Sequence, residues 1–157
     1  MKKVLFLDSV MHSKEEGLMA AIVSLISNLR KNGIEVEANV FRLENQNLSF
    51  SEFQEKENNF IENVAREAKN FNTACLSGWT GSWDRMKKIA RVIKETNPEA
   101  KIIFGGPHID LSYLLRKQTT DRPLDVIFKE CPEVDFCVFG EGKKHSWNYL
   151  VNYQIKK

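Results

Sequence analysis

At 157 residues, with 42% hydrophobic and 28% charged positions, the chain has the size and composition of one ordinary globular domain spanning 1–157. A net charge of +2 with acids and bases interspersed offers no basic footprint for nucleic acid, and no apolar run approaches the roughly 18–20 residues of a membrane span. Asp8 interrupts the run Val4-Leu5-Phe6-Leu7 too early for the apolar core of a signal peptide, so the chain reads as cytoplasmic.

Val4 to Leu7 is a short uninterrupted apolar run, as expected of a central parallel strand covered on both faces. Leu18, Met19, Ile22, Leu25, Ile26 and Leu29 then recur at helical spacing, with Gly33 as the stop signal. From Ile34 to Phe41 the chain alternates: Ile34, Val36, Ala38 and Val40 fall on one side, Glu35, Glu37 and Asn39 on the other. One wet face predicts a strand at the sheet edge. After a polar stretch from Glu44, Ser49 and Glu52 form a capping box for a helix whose stripe is Phe53, Phe60, Ile61, Val64 and Ala68.

Thr73 to Ser77 is the third strand, and Met86, Ile89, Ala90 and Ile93 mark the third helix. Asn97-Pro98 turns into strand four, Lys101 to Phe104, and Val134 to Phe139 is strand five. Between them lie an irregular stretch around Leu111 to Leu115 and a helical piece near Leu124 to Phe128; a last short helix carries Trp147, Leu150 and Val151. This alternation predicts an α/β, flavodoxin-like (Rossmann-like) three-layer sandwich with a five-stranded parallel sheet joined by right-handed crossovers. With the second strand at an edge, the order is 2-1-3-4-5, and the binding crevice lies past the carboxyl ends of strands one and three.

The unusual residues gather there. Asp8 to Gly17 follows strand one and contains Ser9 and His12; Ser77-Gly78-Trp79-Thr80-Gly81-Ser82-Trp83 follows strand three. Gly105-Gly106-Pro107-His108 follows strand four and Gly140-Glu141-Gly142 follows strand five. Six of the eight glycines sit in the last three loops, where they let backbone approach a ligand closely; the plainer reading is that βα loops need glycine anyway. The first loop lacks G-x-G-x-x-G and is not Ser/Thr/Gly-rich, Ser77 stands where a receiver domain carries its acid, and there is no P-loop. Cys75, Cys131 and Cys137 show no C-x-x-C spacing, which argues against a zinc or iron–sulfur site within this chain; Cys75 and Cys137 read as buried thiols in apolar runs.

Two segments resemble a known family. Arg91 to His108, RVIKETNPEAKIIFGGPH, and Val134 to Gly142, VDFCVFGEG, are similar to the cobalamin-binding domain at the N-terminus of B12-dependent radical S-adenosylmethionine proteins. The resemblance implies a base-off cobalamin whose corrin lies over the strand ends while its nucleotide tail descends into the crevice. Gly105 and Gly106 then give room for the tail, Ser77 hydrogen-bonds its base, and Trp79 and Trp83 give the ring apolar cover. Asp8, Ser9, Gly17, Gly78, Thr80, Pro107, His108, Gly140, Glu141 and Gly142 complete the lining, and His12 is the candidate cobalt ligand.

The chain departs from the pattern. The intervals from Asp8 to His12 and on to Gly17 are longer than D-x-H-x-x-G, Ile109-Asp110 replaces a small residue and Thr, and about 111–122 reads as an insertion before the next helix. Lys143 replaces a usual acid. No C-x-x-x-C-x-x-C motif is present, so S-adenosylmethionine and a 4Fe-4S cluster enter only through a fused or partner radical catalytic domain, and this chain alone is expected to be non-catalytic. The alternatives are a flavodoxin-like enzyme of a nucleotide or sugar nucleotide, with Asp8 and Glu141 the nearest general bases, or a degenerate protein-interaction domain using the inserted segment.

Overall fold

The computed structural model describes residues 3–10, 16–42 and 48–139, with positions 8–10, 16–21, 40 and 42, among them Asp8, Ser9 and Gly17, described by backbone alone. In chain order the elements are β1 (Lys3–Val10), α1 (Glu16–Lys31), β2 (Glu35–Arg42), α2 (Phe50–Ala68), β3 (Thr73–Gly78), α3 (Trp83–Thr96), β4 (Lys101–Gly105), α4 (Pro107–Arg116), α5 (Asp125–Glu130) and β5 (Phe136–Cys137). All strand pairs are parallel and the order is β2-β1-β3-β4-β5. The flavodoxin-like expectation holds, with β2 at an edge.

Strand alternation divides the interior into two cores. Leu5 and Leu7 of β1, Ala74 and Leu76 of β3, and Ile102 and Phe104 of β4 pack with residues of α2, α3, α4 and α5. Val4, Phe6 and Val36 pack on the other face with Ile22, Ile26 and Leu29 of α1, and Cys75 lies against them. Helix ends follow local chemistry. At α2 the backbone N–H of Ser49 donates to Glu52 Oε2 at 2.8 Å, and that of Glu52 donates to Ser49 Oγ at 3.3 Å. Gly33, at φ +75°, ends the turn after α1 in a conformation other side chains resist. Asn97 donates its amide to the carbonyls of Ala68 and Phe71, tying the end of α2 to that of α3.

Two features depart from the sequence expectation. The segment from Leu111 is largely helical, because α4 begins directly at Pro107 and runs to Arg116. Its period is masked by outward-facing Leu111, Leu114 and Leu115; only Ile109 and Ser112 are buried. Strand five is cut to Phe136–Cys137, although Asp135 N–H still donates to Ile102 O and Val138 N–H to Phe104 O. A helix around Trp147 to Val151 lies outside the described residues, as do the loop positions 11–15 and 43–47.

A buried charge pair links α2 to α3. Arg85 Nε donates to Glu57 Oε1 at 2.7 Å, both side chains being buried, and Lys88 reaches Glu57 Oε2 at 3.1 Å. The Arg85 guanidinium lies 4.2 Å from the Phe41 ring centroid, so its charge is met by a carboxylate and an aromatic face together.

Candidate functional site

The sheet register brings several expected residues onto one row at the carboxyl ends. Val40, Asp8, Ser77 and Gly105 are successive partners across β2, β1, β3 and β4. Parity puts Ser77 on the α1 face, two residues on from Cys75. The Ser77 side chain is 9% exposed, and among the described residues nothing hydrogen-bonds its hydroxyl. A buried hydroxyl without any partner would cost about 1–3 kcal/mol, so Ser77 calls for one beyond the described side chains.

The glycines at these loops are there for different reasons. Gly78 faces α3, where an added Cβ would meet Ser82 Oγ at 2.8 Å and Met86 Cγ at 3.0 Å, so close helix packing explains it. Gly106 has φ +89° and ψ −175°, a region essentially reserved to glycine, and a Cβ there would strike Ser77 Oγ at 2.7 Å. Gly105 is different. Its φ is ordinary, and a Cβ would meet only Val138 O at 3.5 Å. Neither strain nor crowding among the described residues requires glycine at 105.

On the opposite face the strand ends are filled. Trp83 is 9% exposed; its ring meets Phe104 edge-on at 5.2 Å, stacks on the His108 ring at 4.4 Å, and donates Nε1–H to Glu130 Oε2 at 2.7 Å. The cavity left between Leu76, Phe104, Gly105 and Ile109 is about 10 Å³, at the limit for one water molecule. Trp83 is thus committed to packing, while Trp79 is 40% exposed and keeps apolar surface available. Ser82 holds the Trp79 backbone, accepting from its N–H at 3.1 Å and donating to its carbonyl at 3.0 Å. Thr80 shares a hydrogen bond of 3.2 Å with His108 Nδ1, so the loop after β3 is linked to the first turn of α4, where Pro107 and His108 sit. Burial lowers the His108 pKa below its ordinary 6.5; Glu130 opposes this, while Arg116 and Lys87 reinforce it.

Gly17 falls in the first turn of α1, and Asp8 and Ser9 in the last residues of β1. His12, Gly140, Glu141 and Gly142 lie outside the described residues, so the expected cobalt ligand and the strand-five loop have no described geometry. Among the described residues no three His, Cys, Asp or Glu side chains converge as metal ligands, and no helix is long and apolar enough to cross a membrane. Burial pushes the thiols of Cys75, Cys131 and Cys137 up to about 12, leaving them protonated and poorly nucleophilic near neutrality.

Sequence reasoning named the loops but missed the Thr80–His108–Trp83–Glu130 chain, which joins residues up to 50 positions apart (80 to 130) and has no local signature. It also missed Glu57 and Arg85. Both carried a signal: each charged residue stands at a stripe position, Glu57 four before Ile61 and Arg85 four before Ile89.

With this geometry in place, comparison with known proteins adds one partial likeness. Part of the chain is similar to part of a methyltransferase. The 2-(S-pantetheinyl)-carbapenam-3-carboxylate methyltransferase of Streptantibioticus cattleyicolor is 31% identical over 83 residues, which are 53% of this chain and 11% of that protein. The methyltransferase is thus far longer than the matched stretch, and its likeness concerns a small part of it. No family model matches the chain.

Proposed function

We propose that this chain is a cobalamin-binding module, serving a catalytic domain or subunit of the radical S-adenosylmethionine type. The observation that carries the reading is the buried Ser77 hydroxyl, unbonded among the described residues and in register with Gly105, whose missing side chain no described packing demands. A buried hydroxyl with no hydrogen-bond partner among the described residues, beside a glycine that no described packing demands, suits the polar end of a long ligand arm on the α1 face; the α3 side is closed by Trp83 and Phe104. The resemblance of 91–108 and 134–142 to cobalamin-binding domains supports the same choice, and the partial likeness to a methyltransferase agrees with it.

In this reading Ser77 binds the arm, Gly105 and Gly106 give it room, and Trp79 shields the ring's apolar surface from water. Bound cobalamin supplies a cobalt centre able to accept and hand on an alkyl group. The chain's own share is to hold and orient it.

Equilibrium dialysis with hydroxocobalamin at tens of micromolar is expected to show uptake of one equivalent with a shifted visible spectrum. Gly105→Val should weaken uptake at least about tenfold, roughly 1.4 kcal/mol, with the melting temperature little changed. Ser77→Ala should lower affinity about fivefold, the worth of about 1 kcal/mol of hydrogen bond, without loss of stability. Absence of uptake, or stabilisation by nucleotides and not by cobalamins in a thermal-shift series, overturns the proposal.

A further inference from the structure

We propose that the outward face of α4 is a self-association surface, on which a second copy of this chain docks antiparallel about a twofold axis near Leu114. Helix α4 packs on the sheet through Ile109 and Ser112 and turns Leu111, Leu114 and Leu115, between 46% and 66% exposed, to the opposite side. The helix before it behaves as a surface helix should: α3 shows water a charged row, Asp84, Lys88, Arg91 and Glu95. Three exposed leucines at i, i+3 and i+4 instead make a narrow apolar seam, the kind that one helix offers to another.

The charges beside the seam select the occupant. Asp110, Leu114 and Lys117 follow one another at i, i+4 and i+7, so the acid and the base flank the leucines on one side. Lys117 keeps helical dihedrals, φ −57° and ψ −20°, which holds it on that line. Asp110 and Lys117 also stand equally far from the middle of the seam, between positions 113 and 114. A twofold axis there lays Leu114 against its own copy and Leu111 beside Leu115 of the second copy. Antiparallel helices related in this way bring like flanks together, so Asp110 of each chain faces Lys117 of the other. The face is complementary to itself in charge as well as in apolar surface. Ile109 anchors α4 in the core on the face away from α1, so docking leaves the Ser77 side of the sheet open.

The seam is shorter than a standard interface of roughly 800 Å² per partner, so the dimer is expected to be weak, with a dissociation constant on the order of tens of micromolar. Sedimentation equilibrium of the 157-residue chain, carried to about tenfold above that constant, should show reversible dimers. Leu114→Glu should leave monomers alone, with an unchanged melting temperature because the position is exposed. Asp110→Lys and Lys117→Glu should each weaken self-association at least about tenfold, and an equimolar mixture of the two should restore it, since every facing pair is again opposite in sign. Lys117 is exposed, so its variant decides the charge arm should Asp110→Lys fold poorly. A wild type that stays monomeric at the highest concentration leaves the leucines to a different protein and overturns the proposal. A dimer that survives Leu114→Glu, an unweakened Lys117→Glu, or folded charge variants that fail to complement each other also overturn it. No readout requires cobalamin, so failed uptake and a failed dimer are separate results.

Discussion

Gly106 shows how one residue ties backbone strain to the site. Its positive φ and the 2.7 Å approach of Ser77 Oγ to an added Cβ mean that any side chain there disturbs both the backbone and its neighbour. Gly106→Ala should therefore destabilise the fold by about 1–3 kcal/mol, read as a lower urea midpoint at constant m-value. That makes position 106 a poor probe of ligand room, whereas Gly105 separates room from folding. In sequence the two glycines are indistinguishable. The difference arises because 105 still lies on the strand, while 106 turns the chain into α4.

Asp135 teaches a related lesson. It belongs to the segment that resembles a cobalamin-binding signature, yet its carboxylate accepts from Ile102 N–H at 2.9 Å and pairs with Lys94 and Lys101. Burial tends to raise its pKa, but the Ile102 bond and the two lysines outweigh this and hold it below the ordinary carboxylate range. At this position the resemblance coincides with a strand tie, an explanation that needs no ligand.

Among the elements, α2 and α3 depend on the Glu57–Arg85 pair. Removing one partner from a buried ion pair leaves an uncompensated charge, typically at a cost of about 3–5 kcal/mol, whereas replacing both with apolar groups is often neutral. Glu57→Leu should thus lower stability by about that amount, and Glu57→Leu with Arg85→Met should recover most of it in chemical denaturation. Recovery of nothing would mean that the Arg85 contacts with Phe41 and Phe53 dominate instead. Helix α4 is the element that sequence read least well. Its exposed leucines break the apolar stripe expected of a surface helix, so periodicity alone gave no boundary. The capping box of α2 and the stripe of α3 were legible, because each uses only neighbours three or four residues away.

Across the whole molecule, acid should act in two stages. The depressed pKa of His108 favours the neutral ring in the folded state, so its contribution is present above pH 6.5 and is lost as pH falls from there through the lower folded value. Asp135 and Glu57 are also depressed; in both, burial is outweighed by bonds to cations, with a backbone N–H added at Asp135. Their contributions are present above the ordinary carboxylate values near 4 and disappear as pH falls through the folded values. Melting temperature should therefore decline gently below pH 6.5 and steeply below about pH 4. His108→Gln should remove the first stage alone.

The parallel order 2-1-3-4-5, the edge position of β2 and the gathering of glycines past the strands followed from the sequence, since apolar runs, alternation and βα spacing are local patterns. Tertiary structure alone decided which face of the sheet is closed and which glycine is unexplained. It also decided which tryptophan is committed and which charges meet in the core. Those outcomes depend on contacts between residues tens of positions apart, where packing rather than local preference selects the arrangement.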